Sequence, residues 1–329
     1  MISVSDHWPP FQPPWHLKTA MVQTLLASLK LRAWGKKSLL RHENKVILSI
    51  DRDTRLLGYQ SLQTNEKSDG LAILLHGWEG SSHSTYILAC GDFLYKNGFD
   101  VFRLNLRDHG NSHHLNTGLF YATLLDEVCT AVHRVAGLSQ GIPVILVGFS
   151  LGGNFAIRIA AQFARQGLDI LSRVISVSPV LNPDKATDRI DANPLILSYF
   201  RRKWRRSLVL KQSLYPDRYD FTPLFKMRTL REMTAYLLRK YTHHSGTREY
   251  FKAYGIPSDL TRIIDLPMSI VTAADDPIIP PDDFRSLMPG KQTQIIMHPL
   301  GGHNGFIDGI FKPAWYDRFM LELIRADQG

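Results

Sequence analysis

The pentapeptide Gly148-Phe149-Ser150-Leu151-Gly152 directly follows the apolar run Pro143-Val144-Ile145-Leu146-Val147. It precedes a largely apolar stretch, residues 154–164, that reads as a buried helix. Strand, tight turn and buried helix in immediate succession constrain this chain more than any other feature. They call for a helix packed back against a sheet, with a serine presented at the strand end on a sharply turned backbone. The glycines at 148 and 152 answer the same constraint, because so tight a turn brings the strand and helix backbones together and leaves no room for a Cβ. Such a G-x-S-x-G segment is a nucleophile elbow. An ordinary glycine-rich turn would share the pentapeptide but lack the flanking strand and helix.

The elbow sits inside a longer alternation. Strands are expected at 71–75, 100–106, 143–148 and 173–178, with helices near 84–96, 120–136 and 153–166. The fold class is therefore α/β, a mostly parallel central sheet with helices on both faces. Two alternating runs, 45–50 and 56–63, flank the turn Asp51-Arg52-Asp53 and read as an antiparallel edge pair. The alternation stops over 182–261 and resumes with two further strands, so the core comprises 41–181 and 262–329 and carries an insertion. That insertion reads as largely helical, for example over 222–241, and is expected to arch over the strand ends as a cap that excludes water and shapes the substrate pocket. Residues 1–40 form a separate segment. Its proline and aromatic run, His7-Trp8-Pro9-Pro10-Phe11-Gln12-Pro13-Pro14-Trp15, precedes helical apolar spacing over 20–31 and is expected to dock on the body, rather than extend as a ligand for a partner groove.

A serine that transfers acyl groups needs a base, an orienting acid and an oxyanion site, in the chain order serine, acid, histidine for an elbow of this kind. The stretch Ile263-Ile264-Asp265-Leu266-Pro267-Met268-Ser269-Ile270-Val271-Thr272 contains a short strand that leads into Ala273-Ala274-Asp275-Asp276-Pro277-Ile278-Ile279-Pro280, which puts an acid just past a strand end. Asp276 is preferred because it immediately precedes Pro-Ile-Ile-Pro. Asp275 remains the alternative, since adjacent carboxylates are told apart only by geometry. After the next strand comes Gly301-Gly302-His303-Asn304-Gly305-Phe306, which makes His303 the base among 13 histidines. His76, His109, His113, His114, His243, His244 and His298 lack that order and those glycines, and read as structural or surface residues. The strand 71–75 runs into His76-Gly77-Trp78-Glu79-Gly80, an H-G-x-x-G loop. The backbone amides of Trp78 and Leu151 are the expected oxyanion donors, and the Trp78 indole can pack at the same time.

HGWEG, GFSLGGN, AADDPIIP and GGHNGF, in that order, resemble the alpha/beta-hydrolase superfamily, and more narrowly the branch of YheT-type hydrolases and abhydrolase-domain lipid esterases. Trp15-His16-Leu17-Lys18-Thr19 is similar to that branch's histidine-leucine-glutamine-threonine segment, with Lys18 in the glutamine's place. The resemblance implies an alpha/beta-hydrolase fold and a triad of Ser150, Asp276 and His303. It also implies no metal or organic cofactor, and a carboxylic ester, often lipid-like, as substrate. One stretch departs from the pattern: many hydrolases carry D-x-R-G-x-G-x-S after the fourth strand, and here Asn105 and Asp108 replace the aspartate and the first glycine. Loop geometry and substrate fit are the properties that change touches.

Composition agrees with an enzyme domain. A chain of 329 residues, 44% of them hydrophobic, can bury a large core. The two cysteines, Cys90 and Cys129, fall in expected helices without metal or redox spacing and read as small buried hydrophobes in a reducing compartment. There is no basic start followed by an apolar core, and no run nears the roughly 18 apolar residues of a membrane span, so a cytoplasmic location is expected. The net charge of +9 is concentrated, with fourteen Lys plus Arg against four Asp plus Glu over 201–252. Its densest part is Arg201-Arg202-Lys203-Trp204-Arg205-Arg206. A solvated helical face is the default reading, and peripheral contact with an anionic membrane is the alternative. No nucleic-acid partner is expected, because no recognition module accompanies the cluster. The expected activity is hydrolysis of medium-chain or lipid-derived esters through an acyl-enzyme. Amide or thioester hydrolysis, acyl transfer and a non-catalytic membrane-associated scaffold are the alternatives.

Overall fold

The computed structural model describes residues 9–35, 37–64, 67–139 and 141–326. Its strands are β1 (Glu43–Ser49), β2 (Arg55–Ser61), β3 (Gly70–Leu75), β4 (Phe99–Leu104), β5 (Val144–Phe149), β6 (Arg173–Val177), β7 (Met268–Ala273) and β8 (Thr293–His298). The α-helices are α1 (Ala20–Ala27), α2 (Lys37–Arg41), α3 (Thr85–Lys96), α4 (Leu125–Ala136), α5 (Leu151–Arg165), α6 (Pro183–Ala192), α7 (Pro194–Leu214), α8 (Leu230–Tyr241), α9 (Thr247–Tyr254), α10 (Pro281–Arg285) and α11 (Trp315–Ala326). One sheet runs β1-β2-β4-β3-β5-β6-β7-β8. β2 is antiparallel to both β1 and β4, and every other neighbouring pair is parallel. This is the alpha/beta-hydrolase arrangement.

The parallel strands are short apolar runs because both faces of the sheet are covered. Alternation divides each strand between two cores: Leu71, Ile73 and Leu75 of β3 enter the one packed by α4 and α5, while Ala72 and Leu74 enter the one packed by α3 and α11. Each such leucine or isoleucine contributes roughly 1.5–3 kcal/mol on burial. A one-residue slip would exchange the two sets, so packing on both sides enforces register. That register aligns the strand ends that matter. Leu75 pairs with Gly148, and Ala273 with His298, so the loops after β3 and β5 leave the sheet side by side, as do those after β7 and β8.

Between β6 and β7 the chain leaves the sheet for α6 to α9. Asn182 and Asn193 each precede a proline, and each side chain caps the following helix, α6 and α7 respectively. The helix expected over 222–241 is two pieces, a 3-10 turn at Thr222–Lys226 and then α8. Thr229 and Glu232 form a capping box, and the first amides of α8 donate to Asp191, so a new helix starts there. The helix expected near 120–136 begins only at Leu125. The preceding segment is held as a loop by tertiary bonds: Phe120 N donates to Asp108 and Ala122 N to the Tyr250 hydroxyl. The apolar spacing over 20–31 resolves into α1 and a 3-10 turn at Lys30–Ala33.

In the proline-rich segment Phe11 is buried, and its amide donates to His298 Nδ1. Trp15 is 83% exposed. His7 and Trp8 lie outside the described residues. Cys90 and Cys129 are both free and buried.

Candidate active site

Ser150 occupies the β5–α5 junction with φ 55° and ψ −116°, a backbone state rare for a residue with a side chain. Neighbouring glycines make the turn possible. A Cβ on Gly148 would lie 2.2 Å from Gly152 O, and one on Gly152 would lie 2.3 Å from Leu75 O. Both obstacles are backbone, so neither can yield by rotating a side chain. The Ser150 amide donates to Val177 O at 2.9 Å, tying the elbow to β6.

His303 Nε2 lies 2.9 Å from Ser150 Oγ, and His303 Nδ1 lies 2.8 Å from Asp276 Oδ2. The second oxygen of Asp276 accepts from the amides of Ile278 and Ile279 at 2.8 and 2.9 Å, so the carboxylate is fully buried yet well solvated by protein donors. Its neighbour Asp275 points elsewhere. Asp275 Oδ1 accepts from the Gly302 amide at 2.9 Å, and burial pushes its carboxyl above the ordinary value. Of the two acids, Asp276 is the one in contact with His303.

The H-G-x-x-G loop lies against the elbow: a Cβ on Gly77 would come within 3.1 Å of Ser150 Cβ. The Gly77 amide donates to the Tyr86 hydroxyl, the Glu79 amide to His109 Nε2, and the Gly80 amide to Gly77 O. These bonds hold the backbone on either side of Trp78. Leu151 opens α5, where helix geometry leaves the first amides without an intrahelical acceptor. The Trp78 ring stacks on Phe200 at 5.4 Å and meets Trp204 edge-on at 5.0 Å, joining the loop to α7.

The two histidines beneath this loop are structural. His76 Nδ1–H donates to Gly77 O and its Nε2 accepts from the Leu106 amide. His109 Nδ1–H donates to Arg107 O, which leaves Nε2 to accept from Glu79. Burial pushes His109 down to about 4, so the ring stays neutral, as this bonding requires. His298 is buried, and burial lowers it likewise to about 4.

A pocket opens above Ser150 and His303 between the sheet end and α6 to α9. Ile190, Leu208, Leu230, Leu237 and Leu238 make one side of it apolar, and Glu79, Asp108 and Lys211 are polar members of its wall. Glu79 has φ 55°, and its carbonyl accepts from Lys203 Nζ at 3.0 Å. Burial pushes its carboxyl up to about 8 against the pull of Lys203, with a further push from Asp108. Asp108, also at positive φ, occupies the position where the sequence departs from the usual glycine, and it is paired with Lys211 of α7. Neither Glu79 nor Lys211 stood out as a site residue in the sequence: one was read as part of a glycine loop, the other as one charge in a basic run.

That basic run divides. Trp204 turns inward, Lys203 reaches the Glu79 carbonyl and Arg201 donates to Met227 O, whereas Arg202, Arg205 and Arg206 are exposed. Among the described residues no helix is long and apolar enough to cross a membrane, and no group of three or more His, Cys, Asp or Glu side chains could hold a metal ion.

Sheet order, the strand-end loops and the buried elbow define an alpha/beta hydrolase. The sequence matches the model of the alpha/beta hydrolase family over residues 72–315. An abhydrolase domain-containing protein of Dictyostelium discoideum is 22% identical over 325 residues, covering 95% of this chain and 80% of that protein. Monoacylglycerol lipase ABHD2 of Mus musculus is 23% identical, covering 77% of this chain, which spans 65% of the mouse protein's length. Among solved structures, the Pyrococcus furiosus esterase PF2001 shares the fold with a TM-score of 0.58 at 19% identity, over 89% of this chain and 94% of that one. The chain belongs to the alpha/beta hydrolase family.

Proposed function

We propose that this chain hydrolyses carboxylic esters with lipid-derived acyl groups through a Ser150–His303–Asp276 triad. The observation that carries the reading is the continuous hydrogen-bonded run from buried Asp276 through His303 to Ser150 Oγ, ending at the apolar pocket. Ser150 Oγ attacks the carbonyl carbon as His303 Nε2 takes its proton. The bond to the alcohol breaks as the same nitrogen returns that proton to the leaving oxygen. Water, deprotonated by His303, then attacks the acyl carbon, and the bond to Ser150 Oγ breaks as the imidazolium returns that proton to Oγ, releasing the carboxylic acid and restoring the serine. Asp276 holds the imidazole orientation, and the Trp78 and Leu151 amides carry the charge of the tetrahedral intermediate. The scheme uses no metal or organic cofactor.

The segment 182–261 acts as the cap, and its leucines and Ile190 supply the acyl side of the pocket. The monoacylglycerol lipase name of the mouse relative supports an acyl substrate. A chromogenic ester series from acetyl to lauroyl, run on the wild type and on Ser150→Ala, tests the reading. Turnover should peak at medium or long chains and vanish in the variant. A flat profile, or activity surviving in Ser150→Ala, would overturn it, and cleavage of only amide or thioester probes would move the same triad to another bond. Labelling by a serine-reactive phosphonate distinguishes any of these enzymes from a non-catalytic scaffold.

The partner surface we propose is an anionic membrane. The outward face of α7 sets Leu195, 71% exposed, and Val209, 48% exposed, beside Arg202, Arg205 and Arg206. That pairing of basic and apolar groups suits a lipid headgroup boundary. Vesicle binding should require anionic lipid and fall when the three arginines are replaced by glutamine.

A further inference from the structure

The loop that carries His303 is closed by one backbone bond of its own, from the Phe306 amide to Gly301 O at 3.2 Å, and draws further ties from outside. Gly302, Asn304 and Phe306 all have positive φ, between 52° and 58°. Two of these carry side chains, so the loop is strained and depends on its neighbours. Its amides are tied to side chains from several elements: Gly302 to Asp275, His303 to Thr24, Asn304 to Ser178, and Ile307 to Gln23. Two of those four ties come from α1, 279 and 284 residues away in the chain.

The α1 ties are unusually complete. Thr24 Oγ1 accepts from the His303 amide at 2.9 Å and donates its own proton to Ala20 O at 2.7 Å, which fixes the hydroxyl rotor. Gln23 is fully buried. Its Oε1 accepts from the Ile307 amide at 2.8 Å, while Nε2 donates to Ile307 O at 2.9 Å and Leu17 O at 2.8 Å, satisfying both amide protons. The backbones also meet closely. A Cβ on Gly302 would lie 2.4 Å from Ala20 O, and one on Gly305 would lie 2.8 Å from Gln23 O. Gly302 is therefore demanded by α1, and Gly305 by α1 together with the loop's own Gly301 O, 2.5 Å from where its Cβ would lie.

We infer that Gln23 and Thr24 are positioning residues for the reaction: α1 sets where His303 sits relative to Ser150 Oγ, and so belongs to the catalytic apparatus. This rests on the triad reading above. Thr24 touches the backbone of His303, not its ring or the substrate, so its influence passes through the placement of the imidazole. Sub-ångström displacement of a base costs turnover far more than binding, because only the transition state needs the alignment.

The test uses the full chain with Thr24→Val, Thr24→Ala, Thr24→Ser and Gln23→Leu, with His303→Ala alongside. Rates on a butyrate ester are normalised to folded protein, measured by size exclusion and circular dichroism, so that unfolded protein does not count. Thr24→Val and Thr24→Ala should lose about 10- to 100-fold in kcat with KM within about twofold, and Thr24→Ser, which keeps the oxygen, should recover most of the loss. Gln23→Leu should fall further. Wild-type kcat per folded protein in Thr24→Val and Thr24→Ala would overturn the inference, as would a Thr24→Ser variant as slow as Thr24→Val. If His303→Ala keeps its turnover, the triad reading fails first. If His303→Ala is inactive and the Thr24 variants are normal, the positioning role alone fails.

Discussion

Lys211 Nζ lies 2.7 Å from Asp108 Oδ1, with both side chains buried, and it also donates to the carbonyls of Asn116 and Gly118 at 2.7 and 2.8 Å. One ammonium thus binds α7 to the loop after β4, at the position where the sequence leaves the common hydrolase pattern. Burial pulls the lysine below its ordinary value and pushes the aspartate above its own, and each charge opposes the shift in the other. Removing either partner alone leaves an uncompensated buried charge. Lys211→Met should therefore cost about 3–5 kcal/mol, and adding Asp108→Asn should restore part of that. Urea unfolding of the two single variants and the double variant measures the coupling. Additive losses would mean that the pair does not act as a unit.

The two adjacent acids should separate sharply in kinetics. Asp276 meets His303 directly, so Asp276→Asn should lower kcat by about 10⁴-fold through loss of the imidazole's orienting acceptor. Asp275→Asn keeps an oxygen that can accept from the Gly302 amide, and should cost less than about tenfold. Steady-state rates on one ester decide this, and a reversed order would move the acid to Asp275.

Glu79 gives the chain a predictable response to pH. Its carboxyl ordinarily titrates near 4.5 and is raised to about 8 in the fold. Between those values the folded state holds a proton that the unfolded chain has released, so this group subtracts stability as pH rises from about 4.5 to about 8. Glu79→Gln removes that dependence. The wild-type melting temperature should decline relative to the variant's across this window, and the difference should level off above it. A constant difference from pH 5 to 8 would show that Glu79 ionises normally.

Backbone crowding at the elbow predicts an abrupt loss on adding one methyl group. Gly152→Ala would set a Cβ 2.3 Å from Leu75 O, where the sheet cannot retreat without breaking the β3–β5 register. Soluble folded yield should collapse. Gly137→Ala, where a Cβ meets nothing within 4 Å, should leave yield unchanged and serves as the control.

Much of the geometry around Ser150 was legible locally. The elbow, the strand-end acids and the glycine-bracketed histidine are each a few contiguous residues whose backbone demands restrict the side chains allowed. The choice of Asp276 over Asp275 had some support from the Pro-Ile-Ile-Pro that follows, but needed the observed 2.8 Å contact with His303 to be seen as geometry. Helix limits were less legible. The start of α4 at Leu125 depends on Asp108 and Tyr250 capturing the amides of Phe120 and Ala122, and that capture leaves no trace in local periodicity.

The chain's own order of residues determined the α/β alternation, the elbow, and the succession of serine, acid and histidine, because these follow from apolar period and turn sterics over short stretches. Tertiary structure alone decided that Lys211 is buried while Arg202, Arg205 and Arg206 on the same helix face water. It also decided that Gln23 and Thr24 of α1 hold the His303 loop. Both outcomes depend on which distant group lies within hydrogen-bonding distance after the layers pack, and a lysine or glutamine side chain looks the same in sequence whether its partner is water or a carbonyl more than 90 residues away.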